Sequence, residues 1–84
     1  MKLEIKGEVV KIFDTQTFAS GFEKREFVIK TSGEYPQEYK LEVAKKVEIL
    51  DSVQIGSTIT AHVNLQGKEY QGKYFNTLQC WKIN

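Results

Sequence analysis

Most of the chain alternates apolar and polar side chains with a period of two, the mark of strands that bury one face. Leu3 and Ile5 alternate with Lys2, Glu4 and Lys6, and after Gly7 the apolar phase passes to Val10 and Ile12. A phase change at a glycine within a strand predicts a bulge or sharp bend, so residues 2–13 read as one long, curved first strand. Residues 14–22 hold turn formers together with Phe18 and Phe22 and read as a loop. A second strand spans 24–31, with Phe27 and Ile29 on one face. A turn follows at 32–36, which Pro36 keeps from continuing as strand. Residues 37–43 give a third strand, with Tyr39, Leu41 and Val43 in phase.

The period then changes. Val43, Val47 and Leu50 stand at i, i+4 and i+7, which predicts a short helix near 44–52. In the fourth strand Ile59, Ala61, Val63 and Leu65 alternate with Thr58, Thr60, His62, Asn64 and Gln66. A second glycine-bearing loop is expected at 67–73, and a last strand at 74–83. The order β-β-β-α-β-β, mostly β with a small α contribution, fits a five-stranded OB-fold barrel with its helix between strands three and four. Closure of a small barrel also hides sheet edges that would otherwise pair with other chains. An SH3-like barrel is the alternative, but it usually lacks a helix at that point.

Composition narrows the class. The 84 residues suit a single domain over 1–84, and no apolar run approaches the roughly 20 residues of a membrane-spanning helix. The N-terminus alternates charged and apolar residues, unlike a signal peptide. One cysteine (Cys80) and one histidine (His62) exclude an internal disulfide and a Cys/His zinc site within one chain; a reducing, cytoplasmic setting is expected. Net charge is +1, but it is unevenly spread: residues 57–84 carry Lys68, Lys73 and Lys82 against Glu69 alone. A locally basic stretch can bind an anion even in a near-neutral chain, although solvated surface lysines look the same in a sequence.

Five segments resemble a family of short bacterial and phage OB-fold domains of largely unknown function. They are 11–18 (Lys-Ile-Phe-Asp-Thr-Gln-Thr-Phe), 20–28 (Ser-Gly-Phe-Glu-Lys-Arg-Glu-Phe-Val), Tyr35-Pro36-Gln37, 67–70 (Gly-Lys-Glu-Tyr) and 72–79 (Gly-Lys-Tyr-Phe-Asn-Thr-Leu-Gln). More distantly, the chain is similar to single-stranded-DNA-binding proteins and to small dimeric primosome OB proteins. The resemblance implies the barrel, a single-stranded DNA partner and a homodimer or higher homo-oligomer, with a host cytoplasm as the setting if the protein is phage-encoded. Bacterial single-strand-binding proteins usually end in an acidic tail, whereas this sequence ends on Lys82-Ile83-Asn84, so recruitment of partners through such a tail is not expected.

No catalytic constellation is expected. His62, among Thr and Asn on the outward side of its strand, reads as a solvated histidine, and Cys80, in phase with Leu78, as a buried structural thiol. The glycines match neither a P-loop nor a dinucleotide fingerprint, and no metal or cofactor is expected. The ten aromatic residues say more. Phe27, Tyr39 and Phe13 are enough for one barrel interior, which leaves Phe18, Phe22, Tyr70 and Tyr74 in or beside the two loops that flank an OB binding face. Lys24, Arg25, Lys68 and Lys73 share those segments. Rings that stack unpaired bases beside cations that hold phosphates suit single-stranded nucleic acid. The bland reading of the same rings is a lid over the barrel end for Phe18 and Phe22, and cross-strand packing for Tyr70 and Tyr74. Tyr35 either extends the face or packs its turn. Trp81, out of phase with Leu78 and Cys80, points outward as a packing, dimer or stacking residue.

If each of the four cations neutralises one phosphate, the log–log salt slope is about −3 for a single strand. Binding by one domain is then weak, and two linked sites in a dimer raise it. The expected function is low-specificity single-stranded-DNA binding in replication, recombination or repair, without enzymatic activity. A protein-interaction OB module is the alternative, and nothing in the sequence separates RNA from DNA.

Overall fold

A computed structural model describes residues 3–84. The chain runs β1 (Leu3–Ile12), β2 (Gln16–Thr17), β3 (Glu23–Lys30), β4 (Glu38–Ala44), a 3₁₀ turn (Val47–Leu50), β5 (Thr58–Tyr70) and β6 (Lys73–Ile83). The sheet order is β1-β5-β6-β4-β3-β2, and β1 also pairs with β3, so five strands close into a ring. This is the OB barrel that the alternation predicts. Val9, Phe27, Ile29, Leu41, Val43, Leu50, Ile59, Ala61, Val63 and Cys80 fill its interior, with Leu3, Ile5, Tyr39 and Leu78 half-buried around them. Phe13 lies outside this cluster, half-buried, with the Lys11 ammonium 5.0 Å above its ring. Among the described residues, no helix is long and apolar enough to cross a membrane.

Ring closure depends on β1, which pairs with β5 through Leu3–Glu8 and with β3 through Glu8–Ile12. Here the structure corrects the sequence reading. The inward phase runs unbroken from Leu3 through Ile5 and Gly7 to Val9. The break comes at Val10, where the register with β3 slips between Val9 and Lys11. Gly7 serves close approach instead, because a Cβ there would lie 2.6 Å from the Lys30 carbonyl oxygen.

Three further expectations change. The helix expected over 44–52 is one 3₁₀ turn of four residues. Val43 belongs to β4, Lys45 has φ +69°, and Lys46 is also non-helical, so no regular helix can start before Val47. Leu50 alone in that turn is fully buried, where it joins the interior cluster. The loop expected at 67–73 is instead strand almost throughout. β5 and β6 pair without interruption to Tyr70 and Lys73 and turn through Gln71 and Gly72. Both turn residues have positive φ (+51° and +80°), the backbone of the mirror-image turn that matches strand twist. The Gly72 N–H donates to the Glu69 carboxylate at 2.7 Å and closes the turn. The short β2 also lies within the expected 14–22 loop, paired to Lys24 and Glu23.

Candidate nucleic-acid interface

The β5–β6 hairpin outgrows the barrel. Among the described residues, β1 pairs with β5 as far as Val63 and β4 pairs with β6 only at Leu78 and Gln79, so residues 64–77 form a ribbon that runs on beyond these pairings. Directly opposed residues of an antiparallel pair share a face. One face therefore carries the pairs Tyr70–Lys73, Lys68–Phe75, Gln66–Thr77 and Asn64–Gln79. The other carries Glu69–Tyr74, Gly67–Asn76 and Leu65–Leu78, and continues the phase of the buried Val63–Cys80 pair.

The first face, the outer one, has the features of a binding surface. A groove of about 420 Å³ is lined by Gln66, Lys68, Tyr70, Phe75 and Thr77. Tyr70 and Phe75 are 59% and 51% exposed, far from the burial of rings that serve packing alone. Among the described residues, neither Lys68 nor Lys73 is in an ion pair. At the base of the ribbon Gln66 Nε2 donates to Gln79 Oε1 at 2.7 Å, which holds the two amides together.

Of the residues singled out from the sequence, the hairpin gathers Lys68, Tyr70 and Lys73 on this face and sends Tyr74, 82% exposed, to the opposite one. Phe75 belongs to the face and was not among those residues. Its signal was available in the register: once Tyr70 opposes Lys73, Phe75 must stand across from Lys68.

The remaining candidates lie elsewhere. Phe18 and Phe22 close the β2–β3 loop, their ring centroids 5.8 Å apart and the Phe18 N–H donating to the Phe22 carbonyl at 2.9 Å. Phe18 is exposed and Phe22 half-buried. Lys24 lies 3.9 Å from the Glu42 carboxylate. Arg25 is more committed: its Nε donates to the Phe13 carbonyl at 2.9 Å, and its guanidinium lies 3.5 Å from Asp51. That geometry ties β3 to the end of β1 and to the 3₁₀ turn. Tyr35 is exposed in the β3–β4 turn and does not line the hairpin groove.

Trp81 stands at the register slip of β6, between Cys80 opposite Val63 and Lys82 opposite His62. The extra residue turns it outward, as expected, where it lies 5.5 Å from the His62 ring, centroid to centroid. His62 is accordingly not a freely solvated histidine. Trp81 flanks it, its Nδ1 lies 3.4 Å from Glu4, and its Nε2 lies 2.8 Å from the Asn84 amide. Cys80 is buried as expected, and desolvation by burial raises its thiol pKa, against a smaller lowering effect of a backbone hydrogen bond at Lys82.

Comparison with known proteins agrees with this architecture. A family profile described as Domain of unknown function (DUF3127) matches residues 4–84. A comparison with curated proteins finds no match. Among solved structures, the chain is similar to the mitochondrial single-stranded DNA binding protein Rim1 from S. cerevisiae (TM-score 0.81, 16% identity, 100% of this chain and 92% of that one). It is also similar to the N-terminal domain of PriB protein from Thermoanaerobacter tencongensis, described as dimeric (TM-score 0.75, 13% identity, covering 99% and 92%). The SSB domain of a Synechococcus sp. protein matches comparably (TM-score 0.76, 14% identity, covering 98% and 91%). At these identities the likeness establishes the fold.

Proposed function

The chain belongs to the DUF3127 family, and we propose that it binds single-stranded nucleic acid, DNA in the first instance, with low sequence specificity and without catalysis. One observation carries the reading: the outer face of the β5–β6 hairpin aligns the exposed rings of Tyr70 and Phe75 with Lys68 and Lys73, and among the described residues neither lysine is in an ion pair. Unpaired bases stack on exposed rings at about 1–3 kcal/mol each, while the ammonium groups follow the phosphates. The OB neighbours whose names record single-stranded DNA binding support the same reading. A homo-oligomer fits it, since two weak sites joined together act at high effective concentration, and the PriB domain described as dimeric adds support. The work of such a protein is to protect or present single strands during replication, recombination or repair in the cytoplasm.

A second reading, a protein-interaction module, is favoured by the inner face of the same hairpin, where Leu65 and Tyr74 are exposed. Fluorescence anisotropy with labelled oligo-dT, oligo-rU and duplex DNA separates the two. The proposal expects saturable binding that prefers single strands, and a salt slope about 1.4 shallower in Lys68→Ala/Lys73→Ala. The absence of binding at low salt and high protein concentration would overturn it in favour of a protein partner. Comparison of the rU and dT arms decides between RNA and DNA.

A further inference from the structure

We infer that the outer face of β3 and β4 is closed to a nucleic-acid strand by the opposed carboxylates of Glu26 and Glu42, which confine the strand to the hairpin. The inference rests on the single-strand reading above and adds the route the strand takes. Glu26 and Glu42 are direct cross-strand partners. Like charges so placed destabilise a sheet unless compensated. Here each is compensated on the diagonal: Lys24 Nζ lies 3.9 Å from Glu42, and Lys40 Nζ lies 3.3 Å from Glu26. The four charges sum to zero, with the acids at the centre and the lysines outside. The Glu26 side chain is 18% exposed against 62% for Lys40, so this carboxylate is held in the surface while its lysine reaches over it.

The position of this ladder gives it a consequence. Glu42 pairs in register with Gln79 at the base of β6. A cavity of about 190 Å³ is lined by Glu26, Lys40 and Glu42 together with Phe75 and Thr77, so the ladder abuts the hairpin groove. A strand passing from Phe75 across the barrel toward Phe18 and Phe22 meets two carboxylates whose lysines are already neutralised. Repulsive elements of this kind set where a ligand does not go as surely as attractive ones set where it does. The available track is then the ribbon itself. Asn64 to Tyr70 covers about 20 Å at roughly 3.3 Å per residue, which places the site at the short end of the roughly 4–16 nucleotides seen for OB folds.

The test is Glu26→Gln/Glu42→Gln, titrated with labelled oligo-dT between 50 and 200 mM salt beside wild type. A charge-matched control, Glu4→Gln/Glu48→Gln, removes two acids away from this face. Freeing Lys24 and Lys40 is expected to tighten binding and to steepen the salt slope by about 1.4, which makes the loss of affinity across that salt range about sevenfold larger. The single variants are expected to give about half the change in slope, and they guard against a fold defect in the double variant. An unchanged slope, an equal change in the control, or weaker binding by the double variant would overturn the inference while leaving the single-strand reading in place. A wild type that binds no oligonucleotide overturns both.

Discussion

Gly7→Ala tests how the barrel closes. A methyl group at this position would lie 2.6 Å from the Lys30 carbonyl oxygen, 3.0 Å from its carbon and 3.4 Å from the Thr31 nitrogen. All three are backbone atoms, so no side chain can swing aside. β1 and β3 must part just where Glu8 pairs with both Lys30 and Thr58. Overpacking of this kind costs about 1–3 kcal/mol. Against it stands the gain of about 0.4–1 kcal/mol from a less flexible unfolded chain. The net loss is about 1–2 kcal/mol out of a total of roughly 4–13 kcal/mol for a chain of this length. At about 4–8 °C per kcal/mol, the melting temperature should fall by roughly 5–15 °C. Thermal and urea unfolding followed by circular dichroism measure this directly. A variant as stable as the wild type, or more stable, would refute the close approach and the crossing geometry built on it.

Three further outcomes follow from the same structure. Cys80 holds its proton in the fold while an unfolded thiol ionises from about pH 8.5, so stability should fall as pH rises from that point through the raised native value; Cys80→Ala should flatten the fall in urea titrations across pH 7–10. Phe75→Ala should weaken oligo-dT binding by about 1–3 kcal/mol in anisotropy, whereas Tyr74→Ala, on the opposite face, should leave it nearly unchanged. Arg25→Ala loses a charged-donor hydrogen bond to the Phe13 carbonyl and should cost about 1–2 kcal/mol of stability in thermal melts, with the salt slope of binding unaltered.

The barrel is legible in the sequence because each barrel strand buries one face, and a period of two records that burial directly. Phe27, Ile29, Leu41, Val43, Ile59, Ala61 and Val63 all stand where alternation puts them. Alternation loses the phase wherever a strand slips register. Val10 and Trp81 sit at such slips, and the pattern points to Gly7 for the bend because a glycine is visible in a sequence and a bulge is not. The helix pattern failed for a related reason: Val43, its first member, is a strand residue whose spacing to Val47 and Leu50 coincides with a helical one. The sequence pattern cuts the hairpin short because its glycines and polar residues look like a loop. Outside the barrel a ribbon has no buried face, so its strands leave no apolar alternation to read. For the interface, residue types were informative and facing was not. Lys68, Tyr70 and Lys73 came out together, while Tyr74 and Phe75 could be assigned only once Tyr70 was placed opposite Lys73. Arg25 shows the limit for charge, since its two partners, Phe13 and Asp51, are far away in sequence and nothing local announces them.

If one face of one hairpin takes the strand, an amide shift map of the isotopically labelled protein titrated with oligo-dT will report it residue by residue. Shifts should concentrate on Gln66, Lys68, Tyr70, Lys73, Phe75 and Thr77, with small changes at Glu26 and Glu42 and none around His62 and Trp81. Shifts centred on the β3–β4 face or on the Trp81 side, with the hairpin silent, would contradict it.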